Sequence, residues 1–147
     1  MTVRHNTKRR GAAQIEFVLS IMLIMFLIFW TWEMVMLVYT YSTLSNAAKE
    51  GVRYGIVHGS RNTICGADVN CAKEKVEAVV LDYAKMSFHD LSAISIDVSY
   101  DQDASGTELN VPPGRVTVDI AYTYVPYIKL PWSPPRIHAS AHGRIVN

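Results

Sequence analysis

Few residues of this 147-residue chain are placed to do chemistry, and the most telling is a single acid. Glu16 stands at the mouth of an apolar run: from Phe17 to Trp32 there are 16 residues without a formal charge, then Glu33, then 15 more from Met34 to Ala48. An ionisable group at membrane depth costs about 2.5–3.5 kcal/mol on insertion scales and is by default a functional feature. Gly11 closes the basic stretch ahead of it, so Glu16 is the fifth residue after that glycine. The other groups with chemical potential are Cys65 and Cys71, the pair His138 and His142, and a loop holding Asp101, Asp103, Ser105, Gly106 and Glu108.

These last three reduce to structural roles on inspection. Two cysteines with none left over, on the exported side of a membrane span, argue for a disulfide, whose short loop contributes about 2–3 kcal/mol. A redox or zinc role needs a Cys-x-x-Cys or further ligands at metal spacing, and the intervening Gly66-Ala67-Asp68-Val69-Asn70 supplies neither. The acidic loop begins like a calcium loop, but the twelfth position from Asp101, where an acid must close the coordination sphere, is Pro112. It reads as a solvated turn. His138 and His142 share one face of a strand and lack a third ligand, so they read as a solvent-facing pair. There is no Gly-x-Ser-x-Gly, no His-Glu-x-x-His and no phosphate-cradling glycine loop, and the carboxylates are scattered. Neither catalysis nor a metal or other cofactor is expected.

The element that positions Glu16 is a helix. An uncharged run of about 18 or more residues marks a membrane-spanning helix, because the hydrocarbon core is roughly 30 Å thick and a helix rises about 1.5 Å per residue. The span is expected over residues 17–39, with Glu33 near the far interface, where an ion reaches headgroups and water. Trp30, Trp32, Tyr39 and Tyr41 gather there like an aromatic belt. Arg4, Lys8, Arg9 and Arg10 precede the run with no acid among residues 1–11, which holds the N-terminus in the cytoplasm. A cleaved secretory signal would have an apolar region of about 7–15 residues ending in a small-x-small site. This run is longer and ends in bulky aromatics.

The basic leader, Gly11 and Glu16 together resemble the type IV prepilin processing signature. Arg9-Arg10-Gly11 is followed by Ala12-Ala13-Gln14-Ile15-Glu16-Phe17, and the pattern runs on to Ser45-Asn46-Ala47-Ala48-Lys49-Glu50-Gly51-Val52-Arg53-Tyr54-Gly55. Over about residues 9–55 the chain resembles the TadE-like pseudopilins of tight-adherence (Flp) pilus systems. The resemblance implies a minor pilin cut between Gly11 and Ala12 by a membrane prepilin peptidase, with Glu16 and Phe17 serving assembly. It also implies other pilins and an inner-membrane assembly platform as partners. The place implied is the inner membrane, single-pass, with the C-terminal domain periplasmic or extracellular. Family members often carry a Pro about six residues after the Glu, where this chain has Met22, so a straighter first half is expected. Cleavage would leave a free amine at Ala12 one turn from Glu16, and a carboxylate near a helix N-terminus is favoured by the helix dipole. A neighbour's amine in a filament would neutralise the same carboxylate and set the stagger of subunits. The alternative is that Glu16 only caps the helix start.

Loss of residues 1–11 takes four of the 14 basic residues, leaving 10 against 13 acids, a net of −3 with no sustained basic patch. Nucleic acid is therefore not an expected partner. Past the membrane, Leu44, Ala47, Ala48, Gly51, Val52 and Gly55 recur at helical spacing, with Glu50 facing away beside Arg53. This small, apolar stripe suits packing on the chain's own sheet; close approach by a neighbouring subunit's helix at Ala47, Ala48 and Gly51 is the rival reading. A second, amphipathic helix is expected from Ala72 to about Ser87, closed by Phe88-His89-Asp90. Ile94, Ile96, Val98 and Tyr100 then alternate with polar residues as a strand, and Val116 to Tyr124 as a longer one. Arg136 to Val146 alternates more weakly, as a terminal edge strand, after an irregular crossing at residues 126–135 where Tyr127, Leu130 and Trp132 either pin to the core or form a contact patch.

The expected organisation is a leader at residues 1–11, a long helix at 12–58 and an extracytoplasmic α+β domain at 59–147. That domain joins a small antiparallel sheet of about three strands to the second helix, as in type IV pilins. Besides the processed pseudopilin, an uncleaved single-span anchored binding module explains helix, disulfide and sheet but not Glu16. A membrane-tethered enzyme explains least.

Overall fold

A computed structural model describes residues 7–60, 63–87, 90–128 and 135–146, without the side chains of residues 7–10, 12 and 91. The chain divides into two compact units, Met1–Met36 and Leu37–Asn147. One helix, α1 (Thr7–Val57, 51 residues), contributes to both.

In the first unit α1 stands with its apolar side chains outward. Ile15, Phe17, Met22 and Leu23 are all more than 60% exposed, and Phe26, Leu27 and Ile28 more than half. A helix that is apolar all round has no polar face to offer water. It is the one helix among the described residues long and apolar enough to cross a membrane. The 23 residues from 17 to 39 rise about 1.5 Å each, about 34 Å, which matches a hydrocarbon core of roughly 30 Å. Thr31 keeps its hydroxyl satisfied inside the run by donating to the Leu27 carbonyl oxygen at 2.8 Å. No residue of α1 after Gly11 is a proline or glycine until Gly51, so nothing in the sequence breaks it.

The second unit is an α+β layer. Helix α2 (Val69–Ala84) and strands β1 (Ile94–Tyr100), β2 (Arg115–Thr123) and β3 (Arg136–Arg144) follow α1, with a single 3-10 turn at Leu91–Ala93. The sheet is antiparallel in the order β1-β2-β3, with Asp97 opposite Asp119 and Asp119 opposite Ser140. Alternation does the sorting: Val116, Val118, Ile120 and Tyr122 of β2 are buried on one face while Arg115, Thr117, Asp119 and Ala121 take the other. Ile137, Ala139 and Ile145 continue the buried face at the β3 edge.

The small-residue stripe is spent inside the unit. Leu44, Ala47, Ala48 and Val52 are at most 5% exposed, in one core with Val76 and Val80 of α2 and Val116 and Val118 of β2. A Cβ at Gly51 would collide with Val80 and touch Val76 and Val118; one at Gly55 would press on Val116 at 3.2 Å. Gly143 of β3 likewise receives Ile56 and Val52 of α1. The helix thus lies close on α2 and the sheet, and the rival reading, in which Ala47, Ala48 and Gly51 meet another subunit, is displaced by the chain's own side chains. Glu50 and Arg53 face outward and pair at 2.9 Å.

Helix α2 is set three residues earlier than the sequence pattern suggests, at Val69–Ala84 rather than Ala72–Ser87. The reason is its cap: the Asp68 carboxylate accepts the Asn70 and Cys71 backbone N–H groups at 3.0 and 3.4 Å. At the other end Lys85 and Ser87 turn back onto Leu81 and Ala84. Of the expected closing residues, Phe88 and His89 lie outside the described residues, and Asp90 instead caps the 3-10 turn through the Ser92 N–H at 2.9 Å. Tyr127 of the irregular crossing is 55% exposed, while Leu130 and Trp132 lie outside the described residues.

Candidate functional site

The segment from Gly11 to Phe17 sits on the first turns of α1. Gly11 is helical and needs neither a positive φ nor a close approach, since a Cβ there would meet nothing within 4 Å. Glycine in a helix interior gives up about 1 kcal/mol relative to alanine. Among the described residues nothing returns it, in contrast with Gly51 and Gly55. The Ala12 side chain, those of Lys8, Arg9 and Arg10, and all of Arg4 lie outside the described residues. Glu16 is exposed and lines a shallow hollow with Ile15, Leu19, Ser20 and Leu23, of which Leu19, Ser20 and Leu23 are the residues that helical spacing places on its own face. Phe17 points elsewhere and is 66% exposed. The arrangement offers one carboxylate, with a hydroxyl one turn on, on an otherwise apolar face. It can attract a cation or a donor, and it assembles no nucleophile or acid–base pair.

Glu33 departs from expectation. Its neighbours Trp32 and Met34 are 56% and 43% exposed, yet Glu33 is 4% exposed instead of reaching out to water or headgroups. Along α1, Glu33, Leu37, Thr40, Leu44 and Ala47 follow one another at three and four.

Cys65 and Cys71 form the expected disulfide, with Cα atoms 5.5 Å apart. It ties the first turn of α2 to a tight loop in which Asp68 N–H donates to the Cys65 carbonyl at 3.1 Å and Gly66 adopts a φ of 58°. Asn110 Nδ2 donates to the Gly66 carbonyl at 3.2 Å and fastens that loop to the β1–β2 connection.

In the acidic loop the three carboxylates have separate partners. Asp101 accepts the Arg115 N–H at 3.0 Å, and Asp103 accepts the Ser105 and Thr107 N–H groups at 2.8 and 3.0 Å. Glu108 takes the Tyr100 N–H at 3.3 Å and pairs with Lys73 of α2. The Ser105 hydroxyl and backbone donors hold the Asp103 carboxyl below the usual carboxylate range. The loop's acids are therefore committed to shaping the turn, and among the described residues no group of three or more His, Cys, Asp or Glu is arranged to hold a metal. Tyr100, beside Glu108, is 5% exposed; burial, then the charge of Glu108, pushes its phenol up to about 12. His138 and His142 are exposed on the outer face of β3, as their spacing implied.

Neither the curated proteins nor the solved structures compared with the chain give a match. The family described as TadE-like protein matches residues 11–53, which begin at the unexplained glycine and end within the buried stripe of α1. Over residues 11–53, less than a third of its length, the chain is similar to the TadE-like family, which suggests a protein associated with the tight-adherence pilus.

Proposed function

We propose that the chain is a minor pilin or pseudopilin that takes part in assembling or priming a tight-adherence pilus, after a prepilin peptidase cuts between Gly11 and Ala12. The observation that carries this reading is the pairing of Gly11, a helical glycine with no packing reason, with Glu16 five residues later on an exposed apolar helix. The new amine at Ala12 and the Glu16 carboxylate would sit within one turn. A neighbouring subunit's amine, meeting the same carboxylate in the low-dielectric membrane, sets the axial stagger between copies. The N-terminus lies in the cytoplasm before cleavage and the disulfide-bonded domain outside, consistent with the basic residues ahead of α1 and the Cys65–Cys71 bond.

Intact mass and N-terminal sequencing of the chain from its native membrane, with and without the peptidase, test the processing step. A mature start at Ala12 that disappears without the peptidase is the expected result. A chain beginning at Met1 in both would sink the proposal and favour an uncleaved anchored module. Glu16→Ala is expected to insert normally and fail in pilus assembly; normal assembly would remove Glu16 from the mechanism.

A further inference from the structure

The sheet has an open edge with a charge pattern of its own. Tyr124 N–H donates to the Pro135 carbonyl and Ile145 N–H to the Gly114 carbonyl, at 3.0 and 2.9 Å. In the antiparallel register these bonds assign the odd-numbered residues of β3 to β2. The backbone groups of Arg136, His138, Ser140, His142 and Arg144 therefore point away from the sheet. Val146, next in that series, turns its N–H to the Ile56 carbonyl at 3.3 Å, which marks where the open edge ends. Among the described residues nothing else meets these groups. The same five residues carry the exposed side chains of β3, and none is acidic.

Natural edges are usually blunted by charged side chains, proline, a bulge or a short strand. β3 has nine residues in unbroken register with no proline and no bulge, and its only arginines stand at its two ends, leaving His138, Ser140 and His142 between them. Its charges are also unrelieved. Arg144 stands directly opposite Arg115, a like-charge pair that destabilises a sheet, and neither side chain has an ion pair among the described residues. Arg136 faces Thr123 and likewise has none. Of the acids on this face, Asp119 and Asp97 sit one and two strands in, opposite Ser140 and each other, and Asp101 lies beyond Arg115 at the end of β1, where its carboxylate accepts the Arg115 backbone N–H at 3.0 Å. A second copy of β3 added antiparallel about Ser140 would set Arg136 against Arg144 and His138 against His142, so self-pairing there is opposed by charge.

We propose that β3 is a docking edge for an extended acidic segment of another protein, which adds as a fourth strand with carboxylates facing Arg136 and Arg144. Main-chain bonds to the five outward residues supply the attachment, and the two arginines, eight residues apart, fix register and exclude basic strands.

The test uses the full chain in nanodiscs of zwitterionic lipid and a synthetic eleven-residue peptide alternating Glu with Val or Thr, followed by fluorescence anisotropy. Saturable binding is expected, at least tenfold weaker when Lys replaces Glu in the peptide. Arg144→Glu should cost tenfold or more with the Glu peptide, and recover when the peptide residue facing position 144 is Lys. Ser140→Pro removes an outward N–H without breaking a bond to β2, so it should abolish binding while leaving near-ultraviolet circular dichroism unchanged. Bound peptide should also slow hydrogen exchange at the Ser140 and His142 amides. Failure of the Glu peptide to bind, equal binding of the Lys peptide, or binding indifferent to Ser140→Pro would each overturn the proposal. So would self-association of the chain without peptide that Ser140→Pro abolishes, which would make a second copy the occupant.

Discussion

Gly51 decides whether α1 really lies as close to α2 as its stripe of small residues implies, and Gly51→Ala is the sharpest perturbation. On an open helix surface the change gains about 1 kcal/mol of helix propensity. At this site the new methyl runs into Val80, with Val76 at 3.4 Å and Val118 at 3.7 Å. Val80 is wholly buried and β-branched, so it has no free rotamer to turn into. Overpacking of this kind costs about 1–3 kcal/mol. The expected net is a loss of about 1 kcal/mol, opposite in sign to an ordinary helical Gly→Ala. Val80→Ala alone removes two methyl groups from a closed core, about 2 kcal/mol with its cavity. Combined, the residue 51 methyl fills the space the valine leaves, so the double variant should be more stable than the sum of the singles by about 1–2 kcal/mol. Chemical unfolding of the full chain in detergent micelles, followed by near-ultraviolet circular dichroism, measures all three. Additivity within about 0.5 kcal/mol would refute the close approach.

The disulfide should be worth about 2–3 kcal/mol, so Cys71→Ser lowers the unfolding midpoint of the outer unit and leaves an intact-mass signature of one free thiol. Asp68→Ala removes the α2 cap and should destabilise by about 1 kcal/mol, with Asp68→Asn retaining most of it in the same unfolding assay. Tyr100 titrates higher in the folded state than in the unfolded one, so its contribution is intact below about pH 10 and falls away as pH rises through about 12. Tyr100→Phe, which removes a buried hydroxyl with no partner among the described residues, should match or exceed wild-type stability at pH 7 and flatten the alkaline limb. For Asp103 the sign is reversed. Its lowered carboxyl stabilises the turn at neutral pH, and the effect is lost as pH falls through its folded value, so Asp103→Asn should remove part of the acid dependence of the loop's amide exchange.

How far the sequence foretold the molecule depended on the kind of signal. The period-two segments gave β1 and β2 to within a residue, because a half-buried sheet imposes alternation whatever its context. The disulfide was legible by elimination. The α2 start is not, because the apolar period begins only at Ala72 while the helix is started earlier by the Asp68 cap. For Glu33 its charge suggests a place near the far interface with access to water, and the side chain is instead 4% exposed. The Arg115–Arg144 opposition needed the register, which no single strand reveals.

Three glycines on α1 carry the remaining argument. Gly51 and Gly55 are explained by neighbours within contact distance, and replacing either perturbs the fold. Gly11 has no such neighbour, no unusual backbone and a residue type that weakens the helix holding it. A residue that folding disfavours and packing does not use must answer to something outside the folded chain. Recognition by the peptidase proposed above would be such a demand. Gly11→Ala separates the two kinds of glycine: stability equal to or up to about 1 kcal/mol above wild type, yet accumulation of the uncut chain in the native membrane. If Gly11→Ala were processed at the normal rate, the glycine would be left without a role in either folding or cleavage, and the pilin reading would rest on Glu16 alone.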